Sequence, residues 1–249
     1  MSDWPKKFLR AYSDLHHYES VTANDDGLSL DDAYDIQHRY VNLRQETISG
    51  YKAALTAPQA QQIMGVTLPI VGVLFDSGAF SSTTPVTPNK QALLETEIGF
   101  RAAQAITAPV TEDQVLALMA CCMPMIEIAS PNLATKPNGL DLIATNSASY
   151  GYICGPEQEI DPEALDQLKV SLRQGEQTLL AGTSNEVLGG QAKALTWLIN
   201  ETLTRGYSIA AGHVLMSGSI GGMCPANPGA YSASFGELGS IEFTIAATD

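Results

Sequence analysis

Apolar residues at helical spacing dominate the first 48 residues of the chain. In the run that follows Ser29 they recur three and four positions apart, which places them on one side of a helix. Ser29 has a side chain that is preferred at a helix N-cap. The pattern therefore predicts a helical N-terminal region over residues 3 to 48. The predicted buried stripe consists of Leu30, Ala33, Tyr34, Gln37, Tyr40 and Val41.

From Gly50 onward, short apolar or β-branched runs alternate with Gly, Pro and Ser, which is typical of strands and turns. Eight runs are predicted as strands, at residues 49 to 55, 71 to 75, 93 to 101, 124 to 129, 150 to 154, 169 to 173, 213 to 217 and 239 to 246. Helical spacing returns at residues 112 to 121, 140 to 145 and 190 to 204. We therefore predict an α+β protein, in which an N-terminal helical cap of residues 1 to 48 precedes a mixed or rolled β-sheet domain of residues 49 to 249.

Charge and composition narrow the possible functions. Only 13 Lys and Arg residues stand against 27 Asp and Glu, which gives a formal net charge of -14. Nucleic-acid phosphates require clustered positive charge, and anionic membrane surfaces repel an acidic protein, so neither partner is expected. The chain has no recognisable signal peptide or membrane-spanning run, which predicts a cytoplasmic protein. Its four cysteines lack metal-ligand spacing and are expected to be reduced thiols.

Two acidic residues interrupt the apolar strand predicted at residues 93 to 101. Glu95 and Glu97 are two positions apart, so their side chains point to the same face of a strand, about 7 Å apart along it. Glu127 is a third acid in an apolar, strand-like run. Ionised carboxylates are rarely buried without a cationic partner. We therefore predict that these three glutamates hold a divalent metal, and ligation by oxygen alone favours Mg2+ or Mn2+.

The alternative interpretation needs no metal. Glu95 and Glu97 would lie on an edge strand and face solvent, while Glu127 would pair with Arg101 or Lys136. Acids at every second position are also typical of a strand with one solvated face. The spacing of the two acids does not by itself separate the two interpretations.

Seven segments of the chain carry motifs that occur in the same order in one known family. They lie at residues 50 to 56, 72 to 76, 94 to 100, 125 to 129, 141 to 146, 216 to 220 and 235 to 241. Together they resemble the 2-keto-4-pentenoate hydratase and 4-oxalocrotonate decarboxylase branch of the fumarylacetoacetate hydrolase superfamily. The resemblance extends from about residue 28 to residue 246 and so covers nearly the whole chain.

This resemblance implies a rolled sheet of the fumarylacetoacetate hydrolase C-terminal type, a homo-oligomer, and a Mg2+ or Mn2+ ion held by Glu95, Glu97 and Glu127. The C–C bond hydrolases of the superfamily typically have Asp as the third ligand, so Glu127 favours the hydratase and decarboxylase branch. The expected substrate is a small 2-oxo acid. A metal that it chelates stabilises the negative charge of its enolate.

The resemblance also implies roles for residues around the metal. Lys52 matches a lysine near the substrate carboxylate, and Asp76 matches an acid that carries a proton or positions water. Their alternatives are a strand-end lysine in solvent and a turn-capping aspartate. Neutral substrate-binding groups are expected from five further residues, which would otherwise form ordinary turns. These are Asn146, Ser147, Ser217, Gly218 and Ser219.

Three departures from the family pattern bear on the reaction. Thr145, Gly190 and Ala230 stand where relatives carry Asp, His and Asp, so the metal ligands are kept while groups for proton transfer change. The first hypothesis is a hydratase that adds water to a 2-hydroxy-2,4-dienoate and yields a 4-hydroxy-2-oxo acid. The alternatives are a metal-dependent decarboxylase of a 4-oxalocrotonate-type diacid and a diverged, non-catalytic subunit that associates with a pathway enzyme.

Overall fold

The computed structural model describes residues 3–247, which form six α-helices and twelve strands. The helices are α1 (Trp4–Ser13), α2 (Leu30–Arg44), α3 (Pro58–Met64), α4 (Glu112–Val115), α5 (Gly139–Ala144) and α6 (Gln191–Thr204). The strands are β1 (Ile48–Ala54), β2 (Ile70–Phe75), β3 (Ala79–Phe80), β4 (Leu93–Ala102), β5 (Met119–Ala129), β6 (Ser149–Cys154), β7 (Lys169–Gln174), β8 (Gln177–Thr183), β9 (Val214–Met216), β10 (Ile220–Pro225), β11 (Gly229–Ser234) and β12 (Ser240–Ile245).

The N-terminal region contains two helices, so the prediction of one helical stretch from 3 to 48 is wrong between residues 14 and 29 and again after Arg44, since β1 begins at Ile48. Ser29 is the predicted N-cap of α2 and forms a reciprocal capping box with Asp32. The predicted stripe on α2 is buried, apart from the partly exposed Leu30. The intervening segment is not helical because Leu15 has a left-handed φ of 56° and Tyr18 bridges to Leu133.

The strands form two sheets. The larger one has the order β2-β1-β9-β4-β5-β6-β3, with β10 as an additional partner of β4, and the smaller one has the order β12-β11-β7-β8. All eight predicted strands are present, and the α+β class with a mixed, rolled sheet is confirmed. The strands that the pattern did not predict are β3, β8, β10 and β11.

Helices α5 and α6 agree with their predicted positions to within one residue, whereas the helix predicted at 112 to 121 is wrong in its second half. Only the four residues of α4 are α-helical, a 3-10 turn covers Leu116–Leu118, and β5 begins at Met119. Pairing with β4 decides this outcome, since Met119 and Cys121 lie opposite Ala102 and Arg101. Tertiary pairing has overridden the local preference.

The two faces of β4 have different environments. Leu94, Ile98 and Phe100 point into the main hydrophobic core, whereas Glu95, Glu97 and Gly99 point the other way. A second buried group, here called the methionine cluster, forms apart from the main core. It consists of Leu74, Cys121, Met123, Met125, Tyr152, Val214 and Met216. The large sheet is therefore buried on both faces, and the acids lie beside the methionine cluster.

One edge of β2 forms hydrogen bonds with side chains and not with a neighbouring strand. The amide of Asn146 accepts from the Val73 N–H at 2.8 Å and donates to the Val73 carbonyl at 2.9 Å. Ser147 donates to the Val71 carbonyl at 2.7 Å, and Ser149 donates to the Val73 carbonyl at 2.8 Å. We call this line of contacts the β2 seam. It joins β2 to the start of β6 and so connects strands near the two ends of the large sheet.

Helix α2 packs directly on β2. Val71 donates its N–H to the Tyr34 hydroxyl at 3.0 Å, and Gln37 donates to the Val71 carbonyl at 2.9 Å.

A domain boundary near residue 48 stays a prediction. Within residues 3–247, no helix is long and apolar enough to span a membrane.

Candidate metal centre

Strand pairing brings the three glutamates together. In the antiparallel ladder of β4 and β5, Glu95 lies directly opposite Glu127, and Glu97 follows two residues later on the same face. One oxygen from each carboxylate lies within 4.8 Å of the others. Glu97 is 0% exposed and Glu127 is 1% exposed, while Glu95 is partly exposed. The alternative of a solvent-facing edge strand is therefore wrong.

Lys52 is the cationic partner of the cluster. Its Nζ donates a hydrogen bond to Oε1 of Glu127, and the residue is 1% exposed. Arg101, the partner considered from sequence, instead forms an ion pair with Glu157. Gly72, opposite Lys52 in the ladder, provides the space, because a Cβ there would lie 3.0 Å from Cε of Lys52 and 3.1 Å from Cβ of Ser147.

Burial and mutual repulsion change the proton affinities in the cluster. Burial, reinforced by the charge of Glu127, raises the pKa of Glu95 to about 7. The same two causes hold the pKa of Glu97 well above its usual value. Burial alone would lower the pKa of Lys52, but the charge of Glu127 and the other acids outweighs it and raises that pKa. Without a further cation, Glu95 and Glu97 therefore tend to retain protons.

The chain between β9 and β10 contributes a backbone donor. Both strands pair with the same edge of β4: Met216 lies opposite Gly99, and Ile220 lies opposite Thr96. Residues 217 to 219 leave the ladder between these two points, beside Glu97. Gly218 donates its N–H to Oε2 of Glu97 at 2.7 Å. Within residues 3–247, Oε1 of Glu97 is buried and has no hydrogen-bond partner.

These features fit a divalent cation. Three ionised carboxylates and one ammonium have a formal charge of minus two, which a dication would neutralise. An unsatisfied buried carboxylate oxygen is unfavourable, and a metal would satisfy the one on Glu97. The ligands are all carboxylate oxygens, the donor type preferred by hard dications.

Comparison with known proteins identifies the family. A scan against models of protein families finds no match. The chain is 30% identical to the 2-keto-4-pentenoate hydratase of Paraburkholderia xenovorans (strain LB400) over 226 residues, which cover 86% of this chain and 83% of the relative. The chain belongs to the 2-keto-4-pentenoate hydratase family. The resemblance found in the sequence motifs is thereby confirmed.

Solved structures show the same fold. The 4-oxalocrotonate decarboxylase from Pseudomonas putida G7, complexed with magnesium and adipate, matches with a TM-score of 0.89 at 25% identity, covering 97% of this chain and 95% of that one. A protein of Yersinia pestis CO92, described as a fumarylacetoacetate hydrolase family protein, matches with a TM-score of 0.61 at 12% identity over 81% of this chain and 94% of that one. The superfamily fold is confirmed.

The segment from Ser217 to Ser219 also lies at the cluster of this hydratase-family member. Ser217 is fully buried and donates its hydroxyl to the Ile98 carbonyl at 2.9 Å. Ser219 lies beside Glu95, where its hydroxyl partly offsets the rise in the pKa of that carboxyl. The structure therefore brings Lys52, Gly218 and Ser219 to the three glutamates, whereas the Ser217 hydroxyl bonds neighbouring groups instead.

The other predicted site residues lie differently. Both amide atoms of Asn146 are used by the β2 seam, and Ser147 bonds the seam while flanking Gly72. Asp76 is exposed and begins a 3-10 turn at the far end of β2, so the structure does not bring it to the cluster. Its predicted catalytic role, and the substrate contacts of Asn146 and Ser147, stay predictions.

The three departures from the family pattern lie in different surroundings. Thr145 is buried and donates its hydroxyl to the Asp141 carbonyl at 2.8 Å. Gly190 leaves room for Asp166, whose Oδ2 would lie 2.9 Å from a Cβ at position 190. Ala230 is exposed on β11 in the small sheet, away from the glutamates.

The sequence motifs did not reveal the importance of Gln191. This side chain is 0% exposed and accepts a hydrogen bond from the Ser217 hydroxyl at 2.7 Å. The helical spacing does indicate that Gln191 is buried, since it precedes the buried Ala194 and Leu195 by three and four positions. A glutamine at such a position requires buried polar partners.

Proposed function

We propose that this protein is a metal-dependent hydratase that adds water to a 2-hydroxy-2,4-dienoate of the 2-keto-4-pentenoate type and yields a 4-hydroxy-2-oxo acid. One observation carries the proposal: two buried glutamates, a third that is partly exposed, a buried lysine and an unsatisfied carboxylate oxygen converge in a member of this hydratase family. The reaction makes the protein a hydro-lyase.

Glu95, Glu97 and Glu127 would hold the ion, and we propose Mg2+ or Mn2+ because all the ligands are oxygens. When bound, the ion supplies Lewis-acid stabilisation of negative charge on the keto oxygen of a 2-oxo acid. The N–H of Gly218 fixes Oε2 of Glu97, which leaves Oε1 available as a ligand.

Lys52 places a buried ammonium at the cluster, where it would donate a hydrogen bond to an anionic substrate. Its ammonium is buried, and the adjacent acids keep it protonated. An ammonium in such surroundings favours a substrate carboxylate within reach of Nζ. Glu95 is the partly exposed member of the cluster, so access from solvent is expected on its side.

A second candidate function is decarboxylation of a 4-oxalocrotonate-type diacid. The specific observation in its favour is the TM-score of 0.89 to a decarboxylase that was complexed with magnesium and adipate. Hydration remains first because the relative at 30% identity is a hydratase. A cytoplasmic location, a homo-oligomer and association with a pathway enzyme stay predictions.

The test is a direct assay with both substrates. Wild-type protein incubated with 2-hydroxypenta-2,4-dienoate and Mg2+ or Mn2+ should remove the dienol absorbance, and Glu97→Gln should abolish this activity. The matched control is Glu242→Gln, which changes an exposed glutamate on β12 and should leave the rate unchanged. Carbon dioxide release from 2-oxohex-3-enedioate, without loss of the dienol, would instead favour the decarboxylase.

A further inference from the structure

The backbone N–H that donates to Glu97 belongs to Gly218, a residue without a side chain to restrict its conformation. Gly218 has a φ of 127°, which side-chain-bearing residues rarely adopt, and a Cβ there would lie 2.6 Å from Cγ2 of Thr56. Glycine has wide backbone freedom, so neighbouring residues have to determine the direction of its N–H. That N–H belongs to the peptide bond between Ser217 and Gly218.

Ser217 is held at two points. Its N–H donates to the Ile98 carbonyl on β4 at 3.1 Å. Its single hydroxyl hydrogen is shared between that carbonyl, at 2.9 Å, and Oε1 of Gln191, the nearer acceptor at 2.7 Å. Ser217 is therefore attached to β4 on one side and to the start of α6 on the other.

Gln191 is itself firmly anchored. Its Nε2 donates to the Ser184 carbonyl at 2.7 Å, and its backbone N–H donates to Oδ1 of Asp166 at 2.6 Å. The missing side chain of Gly190 allows Asp166 to approach. Both polar atoms of the Gln191 amide are thus hydrogen-bonded, so a change of rotamer would break buried hydrogen bonds.

We propose that Gln191 is a positioning residue for the metal centre. It acts through the Ser217 hydroxyl. That hydroxyl holds the orientation of the Ser217–Gly218 peptide bond, whose N–H donates to Oε2 of Glu97. The consequence is that Oε2 of Glu97 is held by this hydrogen bond and Oε1 would be free to bind a divalent ion. The inference rests on the proposed function only in taking Glu97 as a metal ligand.

The test measures metal binding and does not depend on turnover. Gln191→Leu keeps a similar volume but removes both side-chain hydrogen bonds. We expect its dissociation constant for Mn2+, measured from the free-ion signal in electron paramagnetic resonance, to rise roughly tenfold. The control is Asn200→Leu on the same helix, which removes two hydrogen bonds to Val110 that have no link to Glu97.

Asn200→Leu should lower thermal stability to a similar extent yet bind Mn2+ within about twofold of the wild-type value. A double-mutant cycle with Ser217→Ala supplies the second readout, since adding Gln191→Leu to Ser217→Ala should weaken binding little further. If Gln191→Leu is insoluble, Ser217→Ala alone serves as the test variant.

The outcomes are distinguishable. Folded Gln191→Leu protein with wild-type Mn2+ affinity, or Ser217→Ala with unchanged affinity, overturns the positioning role and leaves the hydratase proposal intact. Wild-type protein that takes up no Mn2+ overturns the metal centre and the positioning role together. Mn2+ uptake without hydratase activity removes the proposed reaction but not the role of Gln191.

Discussion

Glu97 has its two carboxylate oxygens in different surroundings. One is fixed by the Gly218 N–H, and the other is buried without a partner among the described residues. Glu127 is bonded by Lys52, and Glu95 is the member nearest to solvent. Each acid thus has its own environment although all three are glutamates. The identity of the residues was readable from the sequence, but this division of roles was not.

The raised pKa of Glu95, about 7, predicts that metal and protons compete. A proton held up to that pH has to leave before the carboxylate can ligate, so affinity should increase as pH rises. We expect tighter Mn2+ binding at about pH 8 than at about pH 6. Isothermal titration calorimetry in two buffers of different ionisation enthalpy measures both the affinity and the protons released. Binding that is independent of pH, with no proton release, would contradict this expectation.

Removing the charge of Lys52 should destabilise the fold as well as the site. Lys52→Met leaves Glu127 buried without its ion-pair partner, and such a loss typically lowers the free energy of unfolding by about 3 kcal/mol or more. Denaturant unfolding of the metal-free protein gives the value. Lys90→Met, a change at an exposed lysine, is the control and should shift it by less than about 0.5 kcal/mol. Equal effects of the two substitutions would show that Lys52 has no special environment.

At the level of elements, the close approach of β4 and β5 depends on a glycine opposite large side chains. A Cβ at Gly99 would lie 2.1 Å from Sδ of Met125, in the middle of the methionine cluster. Gly99→Ala should therefore lower the free energy of unfolding by about 1–3 kcal/mol through overpacking. The double variant Gly99→Ala/Met125→Ala should lose less than the sum of the two single losses. Additive losses in chemical denaturation would argue against this contact.

The elements that could be predicted from the sequence are those with a clear helical spacing of apolar residues or a continuous apolar run. Strands β4 and β5 and helix α6 are of this kind. The sequence did not predict β10 or β11, because their Gly-rich and Ser-rich segments contain only one β-branched residue of the kind that marks strands, Ile220. The acids of the metal centre could be found because they interrupt apolar strands. Gln191 could not be assigned a role, since its partners come from distant segments.

At the scale of the whole molecule, the large sheet is rolled, and its two end regions meet at the β2 seam. Its buried interior side contains the methionine cluster together with the three glutamates. The seam uses side chains of Asn146, Ser147 and Ser149 in place of a continuous strand ladder. The shape of the roll therefore depends on a few short polar residues.

Asn146→Leu tests the seam. The change removes both hydrogen bonds to Val73 and leaves a buried N–H without its partner, which should lower the free energy of unfolding by about 1–3 kcal/mol. Hydrogen exchange at the Val73 amide should accelerate. Asn42→Leu, at an exposed asparagine, is the control. A rise in KM for the dienoate with unchanged stability and exchange would instead support the substrate contact predicted for Asn146.

The contact between Gly218 and Glu97 also bears on how the protein is made. These residues are 121 positions apart, and Lys52 and Glu127 are 75 positions apart. Contacts of such long range require large loops to close, which slows folding. During synthesis, β4 and β5 leave the ribosome long before residue 218 does. The nascent chain therefore carries Glu95, Glu97 and Glu127 for some time without the backbone donor of Gly218, and the site cannot be completed until that residue has been synthesised.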